Sequence, residues 1–208
     1  MKTVLGYIFL IFSGMVLFNY LSTQLGSFWS FLPQQLAQAD QRNSTGLTSV
    51  NFNVFDKGGV GSSYITQGYG RTPYSYMYID GWHNGIDIAA TYGAPIYSPA
   101  AGTVLAIGNQ DNYCPRIAFG KFVVVDDTTN HLIFLFAHLG TIGVSSGETI
   151  DKDAEIGTVG VSGLETGPHL HVSIFKEVGF SMAPAHGCGP YPDGHDVDPL
   201  DYLGTTYK

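Results

Sequence analysis

Positive charge is what this chain has least of. Nine Lys+Arg stand against 17 Asp+Glu, a formal net charge of -8, and charged residues make up only 12% of the 208 positions. No basic run occurs anywhere. Nucleic acid is therefore excluded as a partner class, because phosphate binding needs clustered cations. Cysteine is nearly as scarce: Cys114 and Cys188 are the only two. That is too few for a disulfide-built scaffold, and a chain of this length can stabilise a core without one. Sustained helical periodicity is also missing, since after residue 50 no window of about 12 residues repeats its apolar positions at the helical spacing. Little helix is expected. No internal repeat is evident, which argues against a solenoid.

Charge is absent locally too. From Thr3 to Ala39 there is no charged side chain, and "VLGYIFLIFSGMVLFNYL" (Val4 to Leu21) is almost wholly apolar. As a helix that run would be about 27 Å long, close to the hydrocarbon thickness of a bilayer. Lys2 is the only nearby cationic side chain, so the positive-inside rule leaves the N-terminus in the cytoplasm and exports the rest. Residues 1–21 are read as one N-terminal transmembrane helix, an uncleaved anchor, in preference to a signal peptide cut near "AQA" (Ala37 to Ala39). Either reading places the remainder in the cell envelope outside the cytoplasm, or secreted after cleavage. Residues 22–50 turn polar and small and are read as a linker, with "FWSFL" (Phe28 to Leu32) suited to a membrane interface. Export favours pairing of Cys114 with Cys188, but spacing alone leaves pairing and two independent buried thiols equally open.

What is abundant is glycine, with 27 residues, together with 13 Tyr and 13 Phe. From residue 51 to 208 the chain reads as short strands and tight turns. "KFVVVDDTTNHLIFLFAHL" (Lys121 to Leu139) has the form of a β-hairpin around Asp-Asp-Thr-Thr-Asn, and "APIYSPAAGTVLAIG" (Ala94 to Gly108) offers two apolar runs about a turn. The expected class is mainly β: an antiparallel β-sheet or open barrel with short connecting loops.

Within "TGPHLHVSIF" (Thr166 to Phe175), apolar on both faces, His169 and His171 occupy same-face positions about 6.6 Å apart along the strand. Two buried imidazoles need partners, which favours a metal or catalytic role over plain core histidines. "GWHNGIDIAA" carries His83 and Asp87, ligand types that zinc accepts. In an extended strand they would lie about 13 Å apart, but Asn84-Gly85 is a bend signal that would bring them together; taken alone, the pair reads more readily as a surface turn. His138 ends the apolar run "LFAHLG", where the plainer reading is a strand-terminal histidine facing solvent. Two histidines and a carboxylate form a recognised catalytic zinc set, and the five residues supply two further histidines to handle protons.

Over about two thirds of its length, residues 65 to 203, the chain resembles the M23 (lysostaphin/LytM-type) zinc metallopeptidases. The resemblance rests on "QGYG" (Gln67 to Gly70), "HNGIDIA", "GAPIYSPAAGTV", "FAHL", "IGTVGVSGLETGPHLHVSI" and "DVDPLDYL" in the family's order and spacing. It implies His83, Asp87 and His171 as ligands of one zinc ion per chain, and His138 and His169 as the catalytic pair that handles the protons of the metal-activated water. It implies a zinc-dependent endopeptidase acting on peptidoglycan cross-links or stem peptides. The implied partners are peptidoglycan peptides, the membrane through the N-terminal segment, and a regulatory protein of unknown identity. Tyr76 or Tyr78 is a candidate to hydrogen-bond the substrate oxyanion, against the plainer reading of an exposed loop tyrosine. The alternatives are a non-catalytic cell-wall binding or hydrolase-regulating module, weakened because all five site residues are present, and a viral lysin with the same chemistry.

Departures from the family pattern lie elsewhere. "NQDNYCPRIAFGKFVVV" (Asn109 to Val125) is longer than usual and bears a cysteine, and "SMAPAHGCGPYPDGH" (Ser181 to His195) looks inserted. Val172 and Ser173 stand where Phe-Glu is common. His131 reads as a turn residue, and His186, Cys188 and His195 lack the spacing and count of a second metal site.

Overall fold

The computed structural model describes residues 64–206 apart from 79, 185 and 186. The anticipated anchor, the linker and residues 51–63 lie outside them. Among the described residues no helix is long and apolar enough to cross a membrane.

Eight antiparallel strands form the main sheet: β1 (Tyr64–Gln67), β2 (Ile86–Ala89), β10 (His169–Lys176), β6 (Leu132–Ala137), β5 (Lys121–Asp127), β4 (Gly102–Asn109) and β8 (Thr149–Ile150) in that spatial order, with β13 (Asp196–Val197) added to β10. A three-stranded sheet, β3 (Pro95–Tyr97), β9 (Glu155–Val159) and β7 (Leu139–Ile142), covers one face. A two-stranded hairpin, β11 (Ser181–Pro184) and β12 (Pro190–Asp193), stands apart from both. The chain closes on one short helix, α1 (Pro199–Thr206), with Asp198 accepting from the Leu200 amide at 2.9 Å as its N-cap and proline at the first turn. The mainly antiparallel class holds. The main sheet does not close into a barrel: β1 and β8, the strands at its ends, are not paired with each other. Both are short, four and two residues, and β1 is broken by a register shift between Ile65 and Gln67.

The period of two explains why the central strands read as apolar on both faces. In β6, Leu132, Phe134 and Phe136 enter the core beneath the three-stranded sheet, while Ile133, Leu135 and Ala137 join a second cluster on the opposite face. In β10, Leu170, Val172 and Ile174 take the first core, whereas Phe175 joins the second. Each of these large side chains contributes roughly 1.5–3 kcal/mol on burial. A slip of one residue in β10 would drive its histidines into that first core and its aliphatics out of it, so packing fixes the register.

The expected hairpin is β5–β6. Its turn forms because buried Asp127 accepts from the amides of Thr129 (3.1 Å) and Asn130 (3.2 Å) and from the Asn130 side chain (2.7 Å). His131 closes the turn in the left-handed region (φ +56) and meets Glu177 at 2.6 Å, outside the site as expected.

Candidate active site

The odd-numbered face of β10 that lacks aliphatic core residues is where the chemistry collects. His171 is register partner to Asp87 on β2 and to Ala137 on β6, the residue before His138. The bend at Asn84-Gly85 forms as expected: His83 bridges to Gly70 by two backbone hydrogen bonds, of 2.8 and 2.9 Å, and its Nε2 lies 3.2 Å from Asp87 Oδ1. His171 Nδ1 is 2.9 Å from the same oxygen and 3.0 Å from His83 Nε2. His169 Nε2 lies 3.7 Å from that oxygen, and its ring centroid is 4.7 Å from that of His138. All five residues singled out from sequence thus converge on one buried spot.

Each imidazole is oriented by a second partner. His83 Nδ1 donates to the Gly68 carbonyl (2.7 Å), which leaves Nε2 with its lone pair toward Asp87. His138 Nδ1 donates to the Ser162 carbonyl (2.7 Å) and His169 Nδ1 to the Gly167 carbonyl (2.8 Å), leaving the Nε2 atoms as acceptors. His171 turns the other way, with Nε2 2.8 Å from Ser173 Oγ. A hydroxyl donates or accepts by rotation, so Ser173 supports His171 with either nitrogen protonated. His138 sits in the left-handed region (φ +61), the kink by which the chain leaves β6 for β7, and its amide donates to Phe119 O at 2.9 Å. Such conformations are uncommon outside glycine.

The donor chemistry fits a zinc ion. One nitrogen of His83, one of His171 and one oxygen of Asp87 lie within 4.8 Å of one another, and all three residues are buried. With His83 holding its hydrogen toward Gly68, the three atoms converge on a single hydrogen carried by His171. Zinc–ligand bonds of about 2.0–2.1 Å in tetrahedral geometry set donor separations of about 3.3–3.4 Å, so the observed 2.9, 3.0 and 3.2 Å need widen by only tenths of an ångström.

Electrostatics follow from burial and neighbours. Burial alone would raise the Asp87 carboxyl, but the hydrogen bond from His171 and the electrostatics of the imidazoles beside it outweigh it and hold the group well below the usual carboxylate range. Burial lowers His171 and pushes His138 down to about 3, His169 and His171 adding to the shift on His138. Burial, then the charge of Asp87, pushes the Tyr78 phenol up to about 12. Tyr78 stacks on His83 at 5.3 Å and accepts from Gln67 Nε2, whereas Tyr76 is 81% exposed. Of the two candidate tyrosines, the structure brings Tyr78 to the site.

Tyr78, Asp87, His138, His169 and His171 line a groove of about 990 Å³, with His83 buried behind them. Its walls include Tyr74 and Trp82, the Glu165–Pro168 loop, Phe119, and Tyr191 from the β11–β12 hairpin. Cys114 and Cys188 form a disulfide, which settles the question sequence left open and removes Cys188 from any second metal site. His186 lies outside the described residues. Sequence reasoning gave no role to Ser162, Gly68 or Gly167, which act through backbone carbonyls and so leave no side-chain signal. It also missed Gln110, whose buried side chain ties two distant segments together.

Comparison with known proteins agrees with this geometry. The family model for peptidase family M23 matches residues 81–190. An uncharacterized metalloprotease of Haemophilus influenzae is 32% identical over 89 residues, 43% of this chain and 18% of that protein. Peptidoglycan DD-endopeptidase ShyB of Vibrio cholerae is 32% identical over 92 residues, 44% of this chain and 20% of that one. The chain therefore spans about a fifth of the length of these curated relatives. Among solved structures, the catalytic domain of the prophage-encoded M23 protein EnpA from Enterococcus faecalis aligns with TM-score 0.51 at 27% identity, over 71% of this chain and 97% of that one. The catalytic domain of lysostaphin from Staphylococcus simulans shares the fold at TM-score 0.54 and 19% identity, over 76% and 99%.

Proposed function

The chain belongs to peptidase family M23, and from that premise we propose that it is a zinc-dependent endopeptidase hydrolysing peptide bonds in peptidoglycan cross-links or stem peptides. The observation that carries the reading is the convergence of His83, Asp87 and His171 on one buried point at the groove, with His138 and His169 beside it and their Nε2 atoms free to accept.

His83 through Nε2, Asp87 through Oδ1 and His171 through Nδ1 would hold the ion. When bound, zinc supplies Lewis acidity, polarising the scissile carbonyl and bringing water toward deprotonation near neutral pH. His138, kept neutral by burial, presents an unprotonated Nε2 suited to taking a proton from the attacking water. His169, 4.7 Å away ring to ring, is placed to share that proton and return it to the leaving amine. The Asp87 carboxylate, held ionised by its neighbours, favours an imidazolium once one forms. Tyr78, its hydroxyl protonated well above neutral pH, is available to donate to the oxygen of the carbonyl under attack.

Substrate identity is read from the groove and the compartment. Asp80, Asp87, Glu165, Asp193 and Asp196 line it, and no lysine or arginine does among the described residues. That lining favours peptides carrying a free ammonium near the scissile bond. The disulfide fits an oxidising compartment, consistent with an envelope enzyme, and the proposed membrane anchor belongs to residues 1–21. The test is a defined cross-linked peptide: turnover lost on chelation, restored by zinc and absent in His171→Ala supports the proposal. Turnover that persists in His171→Ala contradicts it.

A further inference from the structure

The two segments that depart from the family pattern meet in space. The β4–β5 connection carries Cys114, the β11–β12 connection carries Cys188, and the disulfide joins them across 74 residues. Gln110, 1% exposed, is a second bracket: its Nε2 donates to Pro190 O at 2.8 Å and its Oε1 accepts from the Phe119 amide at 2.9 Å. Next to Pro190, the ring of Tyr191 packs on Phe119 with centroids 5.0 Å apart, and Phe119 lies 5.5 Å from the His171 ring. No strand of either larger sheet pairs with β11–β12 among the described residues. The hairpin is anchored at its base, where β12 runs into β13 on β10 and the Lys176 amide donates to His195 O, but beyond that base it stays against the groove through side chains and this clamp. Both Tyr191 and Cys188 line the groove that holds His138, His169 and His171.

We propose that the β11–β12 hairpin is the substrate-selecting wall of the groove, with Tyr191 contacting the bound peptide and the Cys114–Cys188 bridge positioning it. The inference rests on the peptidase reading for its ligand class, a cross-linked wall peptide. A tyrosine at this place offers such a ligand an aromatic face and a hydroxyl that donates to a backbone carbonyl. The hydroxyl stays protonated: burial raises the phenol, and Asp80, Asp193 and Asp196 raise it further. A hairpin lacking ladder hydrogen bonds to the body has low local stability. Without the bridge, Tyr191 would occupy its place on the wall only part of the time, and apparent affinity would fall by that fraction.

The experiment uses the full 208-residue chain, zinc-loaded, in a His169→Ala background that blocks turnover, and measures binding of soluble cross-linked muropeptides by calorimetry. Tyr191→Leu keeps an apolar side chain for the adjoining core, and it should weaken binding about tenfold or more, as truncation of an aromatic anchor does. Cys114→Ser/Cys188→Ser should weaken it comparably with zinc stoichiometry unchanged. Tyr191→Leu added to the Ser pair should cost little more, because both changes remove the same contact. Tyr191→Phe, which retains the ring on Phe119, should recover most of the affinity. Unchanged binding in Tyr191→Leu overturns the proposal, as do effects of the Leu and Ser changes that simply multiply, or a parent that binds no muropeptide. If the binding pattern holds while the wild-type chain cleaves nothing, the peptidase reading fails and the wall stands.

Discussion

Gly85 is the position where one added methyl group should undo the proposed metal site. Its φ is not in the left-handed region, so alanine is allowed by the backbone; space is what forbids it. A Cβ at Gly85 would stand 2.3 Å from the Val172 carbonyl oxygen and 2.8 Å from Cε1 and Nε2 of His171. Carbon–oxygen contacts of this kind settle near about 3.3 Å, so β2 and β10 must part by roughly 1 Å, or the His83–Asp87 bend must shift by as much. Either movement exceeds the tolerance of about 0.2 Å for a metal–ligand distance. Overpacking of this kind typically costs about 1–3 kcal/mol, and zinc affinity should fall by at least the 10–100-fold seen when a ligand loses its support. The assay is competition for zinc against a chromophoric chelator, with melting curves taken in chelator to isolate the packing cost. Gly167→Ala is the control, since a Cβ there meets nothing within 4 Å. Gly85→Ala with wild-type zinc affinity and an unchanged melting temperature would refute the reasoning.

Other perturbations probe separate links. Removing the bridge with Cys114→Ser/Cys188→Ser opens a loop spanning 74 residues in sequence, which the chain-entropy relation sets at about 4 kcal/mol; urea unfolding checks it, and a loss under about 1 kcal/mol contradicts an entropic clamp. In the metal-free chain His138 titrates near 3 instead of 6.5, so it contributes stability above pH 6.5 that is lost as pH falls toward 3. Melting temperature against pH should therefore slope less between these limits in His138→Gln, and parallel slopes would contradict this. Asp198→Ala removes the cap of α1 and should cost about 1 kcal/mol, read by urea unfolding as a lower midpoint at unchanged m-value; an unmoved midpoint contradicts the cap. The acidic groove should bind an ammonium-bearing peptide more weakly as salt is raised from about 50 to 200 mM while leaving its N-acetylated counterpart unaffected; equal salt dependence would refute the charge argument.

Much of the site was legible because the residues that carry it obey local rules. The period of two put His169 and His171 on one face, and a glycine bend rescued the His83–Asp87 pair from a separation of about 13 Å. The Asp127 turn and its flanking apolar runs announced β5–β6. What stayed hidden is non-local. His138 reaches the groove through a left-handed backbone conformation that nothing in "FAHL" signals. The supporting carbonyls of Gly68, Ser162 and Gly167 belong to no side chain. Gln110 reads as an ordinary loop residue until Pro190, 80 positions away, arrives beside it. The cysteines were visible but their pairing was not, because distance between the Cα atoms, here 5.0 Å, is a property of the fold alone.

The central claim is that three side chains holding zinc and two histidines beside them hydrolyse a peptide bond in the wall. The most direct test incubates the zinc-loaded chain with purified peptidoglycan of several cross-link types and identifies released fragments by mass spectrometry, beside a chelated sample and His169→Ala. Fragments with new peptide termini, absent from both controls, are the expected result and name the bond. Intact cross-links in every wall type, from a chain shown to hold one zinc ion, would contradict it and point to a wall-binding or hydrolase-regulating role.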